Sequence, residues 1–343
     1  VSFSEDPQVD ARRRDFTVNA LFYDPFEDQV LDFVGGIADL QAGCLRAVGD
    51  PLQRFREDRL RLLRAIRFAA QLDFHIEPLT WVALCEEAPH LAEISAERIR
   101  DEILRMLTQP RAGMAFRLLD QAGLLPLILP EIEHLKGVEQ PAEFHPEGDV
   151  FEHTLLLLDH LERPSEELAL AALFHDIGKP ATLERLDRIR FNGHDRLGAE
   201  MFVQIAERLR LPNRQAERVR DLIAQHMRIG QVRRMRSSTL KRLLRSETFT
   251  ELLELHRLDC LASHRDLDLH EFCRESQASL SQEELRPPRW ISGQDLIGMG
   301  LEPGPLFKTI LSEVEDLQLE GTLSSPEAAV AYVKEKYLFP AGG

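Results

Sequence analysis

Strand-like patterning is confined to the first 48 of the 343 residues, and from about Leu52 onward the chain keeps the three- and four-residue apolar spacing of amphipathic helices. A chain patterned this way has to build its core by packing helices against helices. Residues 16–22 and 29–33 are β-rich, with breaks at Asp24-Pro25 and Gly35-Gly36. Residues 57–72 set Leu60, Leu63, Ile66 and Ala70 on one stripe, which predicts one helix over that span. The pattern repeats over 96–107 and 112–122, where Gly123 supplies a stop, and again over 150–161, 166–175, 196–209 and 213–226. A Pro- and Gly-containing loop at 144–148 and the pair Pro287-Pro288 mark boundaries. A chain of this length is expected to form two or three domains.

No apolar run reaches the roughly 18–20 residues that cross a bilayer, and no basic-then-apolar leader opens the chain. Cys44, Cys85, Cys260 and Cys273 show no CxxC spacing, which suits a reducing cytoplasm. The first residue is Val1, and VSFS reads as part of a strand, so a preceding segment is expected. A net charge of −16 argues against a nucleic-acid partner at first sight, but binding depends on local patches. Two stretches run against the average. Residues 54–67 carry Arg54, Arg56, Arg59, Arg61, Arg64 and Arg67, and residues 208–245 include Arg233, Arg234 and Arg236. They are solvated helix faces or an RNA footing.

Three motifs follow one another early. RRDFTVNAL puts Arg14 beside Asp15, a fork and a carboxylate that could hold a ribose or phosphate. Taken alone, a surface ion pair is the commoner reading. In LDFVGGIADL, Gly35-Gly36 allows a tight turn and Asp39 could brace a neighbour, which is structural support. In REDRLRLLRAIRFAA, Asp58 and Arg61 stand three apart, neighbours on a helix, with Arg64 and Arg67 continuing the line. One acceptor beside several donors can read cytosine and adenine, each of which shows an amine next to a ring-nitrogen acceptor. Uracil and guanine would leave buried groups unpaired, at roughly 1–3 kcal/mol each. A run of i,i+3 salt bridges is the plainer alternative.

In this order, within about seventy residues, the motifs resemble class II tRNA nucleotidyltransferases, the family of CCA-adding enzymes and poly(A) polymerases; the intervening LRAVGDPLQRF fits too. The resemblance implies a mainly α protein: a remnant of an α/β nucleotidyltransferase head over 1–48, a helical neck over 49–140, an all-α HD domain over 141–286 and a helical tail over 287–343. It implies that Arg14 and Asp15 contact the ribose, Asp58 and Arg61 act as template for C and A, and Arg64 and Arg67 bind the nucleotide, chiefly its phosphates. CTP, ATP and tRNA are the implied partners, and two magnesium ions the implied cofactors of transfer. The family's Gly-rich turn and Asp-x-Asp precede RRDFTVNAL. Here only Glu5, Asp6 and Asp10 do, so the polypeptide is expected to be inactive in transfer by itself.

A second constellation runs His153, His175-Asp176, His194, His226, Asp259. Mixed nitrogen and oxygen donors suit Mn, Fe, Ni, Co or Mg, and a metal so held activates water towards a phosphate ester. The set resembles the HD phosphohydrolases. His75, His90, His134, His160, His264 and His270 match no ligand position, and His145 and His256 remain unassigned. Lys179 could meet a phosphate or simply end its turn.

Overall fold

The structure, a computed structural model, describes residues 6–141, 143, 145–185 and 187–339; the VSFS strand and Glu5 lie outside them. The chain is mainly helical, as its patterning implies, and it divides into two compact units. The larger comprises residues 1–226 with 257–265, and the other residues 227–256 with 266–343. None of the described helices is long and apolar enough to cross a membrane.

The larger unit opens on a hairpin of Leu21–Asp24 against Gln29–Asp32, antiparallel with Leu21 opposite Asp32. Residues 16–22 are not a strand throughout. Phe16 makes a single bridge to Ala47, and Thr17–Asn19 is a 3₁₀ turn. Asp15 explains the change: its Oδ1 accepts from Phe16 N at 2.9 Å and Asn19 Nδ2 at 3.3 Å, local bonds that compete with a ladder. After the hairpin, the Asp32 carboxylate accepts the backbone N–H groups of Val34, Gly35, Gly36 and Ile37. Gly35 adopts φ +84°, and a Cβ on Gly36 would sit 2.2 Å from Thr17 O. Asp39 then braces Thr17 Oγ1 at 2.7 Å and Arg46 Nε at 3.1 Å.

The span 57–72 also departs from expectation. It is two helices, Pro51–Glu57 and Leu60–Leu72, separated at Asp58, which is extended with φ −155° and ψ 102°. The Asp58 carboxylate takes Leu60 N at 3.1 Å and its carbonyl takes Arg61 N at 3.0 Å, so the residue starts the second helix instead of continuing the first. Leu62, Leu63 and Ile66 are fully buried, as are Phe55, Leu84, Phe116 and Leu119; each such side chain contributes roughly 1.5–3 kcal/mol by burial. Helices Ala112–Gln121 and Val150–Asp159 approach so closely that a Cβ on Gly113 would meet Leu155 O at 2.2 Å. Glu166–Phe174, His194–Arg208 and Asn213–Gln225 complete the helical body, close to their expected spans. One short hairpin, Leu183–Arg185 against Ile189–Phe191, interrupts it.

The smaller unit has its own core of Ile291, Leu296, Ile310, Val314, Ala329 and Val333, with Trp290 and Phe307 packed on it. Arg242 and Arg245, from the 208–245 stretch, are paired within this unit. Arg242 meets Glu315 and Asp316, and Arg245 meets Glu315.

Candidate nucleotide cleft and metal centre

The larger unit holds a cleft of about 510 Å³ lined by Arg13, Arg14, Asp15, Asn19, Asp58, Leu60, Arg61, Arg64, Phe68 and Arg98. Five of the six residues singled out for nucleotide binding lie on it. Asp15 is 7% exposed and anchors the wall, its Oδ2 held by Arg64 with Nε at 2.7 Å and Nη2 at 2.5 Å. Arg14 pairs with Asp10 at 2.7 Å and lies over the Phe22 ring. Asp58 Oδ2 accepts from Arg98 Nη2 at 2.8 Å. Arg61 donates to Glu57 and to the carbonyls of Arg54 and Arg13. Asp58 and Arg61 thus share a cleft without sharing a helix.

Arg67 is the exception. It does not line the cleft; it is 9% exposed, bonds Glu102 Oε2 at 2.7 Å and stacks on Phe68 with Cζ 4.1 Å from the ring centre. Its guanidinium is committed to Glu102 and Phe68, away from the cleft lining, in contrast to the phosphate role expected of it. Asn19, though inside the RRDFTVNAL motif, was not singled out, and Arg98 had no signal in the sequence that would have marked it. Arg98 comes from a helix forty residues further on, where it reads as one more solvated charge.

The second site lies in the same unit. His153 is fully buried, with Nδ1 2.7 Å from Glu147 Oε1 and Nε2 3.0 Å from Asp259 Oδ1. His175, His194 and His226 each direct Nδ1 at a backbone carbonyl, of Ala172, Phe191 and Ile223 respectively, at 2.7–2.9 Å. A carbonyl only accepts, so each Nδ1 carries the hydrogen and, in the neutral ring, each Nε2 offers a lone pair. The Nε2 atoms of His194 and His226 stand 3.2 Å apart, and both are near Asp176 Oδ1, at 3.5 and 4.0 Å. Two lone pairs at that distance repel unless a cation or proton lies between them.

The donors form two adjoining groups, His153–His175–Asp259 and Asp176–His194–His226, each with its atoms within 4.8 Å of one another. The dipeptide His175-Asp176 joins them. His153 Nε2 and His175 Nε2 are buried and face carboxylate oxygens, of Asp259 at 3.0 Å and of Asp176 at 3.1 Å, with no well-aligned hydrogen bond among the described residues. Buried polar atoms without such a bond are costly, and these point where a cation would sit. All six ligand residues read from the sequence converge here, and their donor chemistry fits a divalent metal.

The electrostatics agree. Burial opposes a charge on His153, but the Asp259 and Glu147 carboxylates outweigh it and raise its pKa to about 9. Burial, reinforced by His175, pushes His226 down to about 4, keeping its ring neutral. Burial tends to raise Asp176, yet His175 and Lys179 hold it well below the carboxylate range. Lys179 Nζ lies 2.7 Å from both Asp176 Oδ2 and Gln140 Oε1. Glu147 escaped notice in the sequence, and His145, left unassigned there, also bonds it at 2.9 Å.

Comparison with known proteins matches three parts of the chain to family models. Residues 1–46 match the poly A polymerase head domain, 73–136 the probable RNA- and SrmB-binding site of polymerase A, and 149–263 the HD domain. The A-adding tRNA nucleotidyltransferase of Deinococcus radiodurans is 35% identical over 95% of this chain and 78% of its own length. This chain belongs to the class II tRNA nucleotidyltransferase family. The family's CC-adding enzyme from Thermus thermophilus is likewise 35% identical, over 95% of this chain and 76% of its own length. The multifunctional CCA protein of Nitrosomonas europaea is 40% identical over 60% of this chain and only 50% of its own length. The fold is also that of the Bacillus stearothermophilus CCA-adding enzyme solved with CTP, with a TM-score of 0.68 and 24% identity over 98% of this chain and 75% of that one. The nucleotidyltransferase head is thus represented here by residues 1–46, followed by an RNA-binding region and an HD domain.

Proposed function

We propose that the cleft receives a cytidine or adenosine nucleotide, from CTP or ATP, for addition to a tRNA 3′ end. The observation that carries this reading is that Asp58 and Arg61 line one cleft together with Asp15 and Arg64. An acceptor at Asp58 takes the exocyclic amine of cytosine or adenine, and Arg61 donates to the neighbouring ring nitrogen. Asp15, fixed by Arg64, faces the ribose with Arg14, while Arg64 extends toward the phosphates. To bind a base, Asp58 and Arg61 exchange bonds they now make to Arg98 and Glu57. Relatives of equal identity add A in one case and CC in the other, so both nucleotides belong to the proposal; poly(A) addition is the alternative within the family.

In a calorimetric titration of CTP into residues 1–343, Asp58→Ala is expected to weaken binding roughly 10- to 100-fold, the cost of a lost charged hydrogen bond; equal affinity would remove the template role. Given magnesium and tRNA lacking its CCA end, the same chain is expected not to extend it, because no Asp-x-Asp stands ahead of Arg13. Asp6 and Asp10 there are engaged in capping and in pairing with Arg13 and Arg14. Efficient extension would overturn that expectation.

The division into head remnant (1–48), neck (49–140), HD domain (141–286) and tail (287–343) is part of the proposal, as is a cytoplasmic setting, with which four free cysteines accord. For the tRNA backbone we assign Arg233, Arg234 and Arg236, all exposed. Arg233 already pairs with Asp268 at 2.6 Å and must share it. Neutralising all three is expected to lower tRNA affinity and flatten its salt dependence; an unchanged salt slope would withdraw the assignment.

A second activity rests on the buried imidazoles. His153, His175, Asp176, His194, His226 and Asp259 would hold one or two divalent ions (Mn, Ni, Co, Fe or Mg), which when bound supply activated water for phosphoester hydrolysis, for example of 2′,3′-cyclic phosphates. Asp176 keeps Lys179 fixed beside the site, where its ammonium can receive a phosphate oxygen.

A further inference from the structure

Three of the four imidazoles in the HD cluster are oriented by main-chain carbonyls. His153 alone among them is oriented by a carboxylate, that of Glu147. Glu147 lies in the stretch 137–148, which falls between the RNA-binding match ending at 136 and the HD match beginning at 149. That stretch is pinned back onto the domain. Asp149 accepts Gly137 N at 2.6 Å and Glu152 N at 2.9 Å, Glu139 bridges Asp149, and Val150 N donates to Val138 O at 3.1 Å. From the same stretch Gln140 reaches Lys179.

The Glu147 side chain is 5% exposed, and its Oε1 accepts from both His153 Nδ1, at 2.7 Å, and His145 Nδ1, at 2.9 Å. Its Oε2 is buried and makes no hydrogen bond among the described residues, so the carboxylate's demand falls on the two imidazoles. Glu147 meets the Nδ1 edge of His153, whereas Asp259 meets the Nε2 edge. A carboxylate behind a ligand imidazole fixes its tautomer, stops the ring turning and makes the ligating nitrogen more basic.

We propose that Glu147 is a positioning residue of the HD metal centre, holding His153 with its Nε2 toward the ion. It follows that Glu147 and Gln140, from the stretch that joins neck and HD domain, are working parts of that centre and not only a connection. The inference rests on the metal reading given above.

The test uses the full 343-residue chain and Co²⁺ alone as probe, followed by calorimetry and by the visible ligand-field spectrum. Glu147→Ala is expected to weaken Co²⁺ binding about 10- to 100-fold and to change the spectrum, because His153 is released. Glu147→Gln keeps the acceptor oxygen without the charge, and should restore the band shape while recovering only part of the affinity. A merely structural role would lower stability without moving the spectrum. If Glu147→Ala binds Co²⁺ with wild-type affinity and spectrum while His175→Ala does not, the role of Glu147 is overturned and the metal reading stands. If Glu147→Ala loses an ion outright and the rest keeps the wild-type spectrum, Glu147 is a ligand and the positioning role is equally overturned. If the wild-type chain takes up no Co²⁺, both readings fall.

Discussion

Glu102→Ala is expected to destabilise the larger unit by about 3–5 kcal/mol, the cost of stranding one charge of a buried pair. Glu102 is 1% exposed and its two oxygens are divided between Arg67 at 2.7 Å and Arg105 at 2.9 Å. Arg105 is more than half exposed and loses little when its partner goes. Arg67 is nearly enclosed, lies against Phe68 and has no second carboxylate partner among the described residues. For a unit of this size the melting temperature should fall roughly 6–20 °C. The double substitution Glu102→Ala with Arg67→Met should recover most of the loss, because an apolar side chain of similar length needs no partner. CTP affinity of the folded fraction should stay within a few-fold in both variants, since Arg67 does not line the cleft. A melting shift within 2 °C for Glu102→Ala would show that Arg67 finds water or another partner. A large loss of CTP affinity in the double variant would return it to the nucleotide site.

The case of Arg67 shows where reading along the sequence stops. Residues three apart on a helix drift by about 60° per step, so Arg67 stands about 120° around from Arg61. Arg64 is still within reach of the cleft and Arg67 has turned into the protein. Asp58 was ambiguous for another reason: an aspartate before a helical stripe is either an i,i+3 partner or a cap, and only the backbone decides. The tripeptide strands Leu183–Arg185 and Ile189–Phe191 are too short for their alternation to stand out. The candidate ligand set of the HD domain was readable as a pattern because such chemistry depends on residue type and order, which a sequence displays directly; the structure brings those side chains together. Glu147 was not, because a glutamate in a Pro- and Gly-bearing loop normally faces water. Its burial follows from Asp149 closing that loop.

His175→Ala should abolish divalent-metal binding by the His153–His175–Asp259 group and reduce phosphoester hydrolysis by at least about 10³-fold, if activated water supplies that much of the rate. His175 has no substitute: it is buried, its Nδ1 is committed to Ala172 O, and its Nε2, 3.1 Å from Asp176 Oδ2, makes no well-aligned hydrogen bond among the described residues. Removing it leaves the other group with Asp176, His194 and His226 intact. Metal analysis should therefore record one ion fewer than wild type if the groups hold an ion each, or none if they share one. Chelation gives the matching result from the other side. An ion present at 100 times its dissociation constant adds about 2.7 kcal/mol of stability, so EDTA should lower the wild-type melting temperature by roughly 5–10 °C. The same treatment should barely move His175→Ala if the site holds a single ion. His90→Ala, at a histidine 54% exposed and far along the chain from the cluster, should behave as wild type in every arm. Should His175→Ala retain wild-type metal content and hydrolysis, His175 would not be a ligand, and any ion would have to be held by groups that do not include it, such as Asp176, His194 and His226.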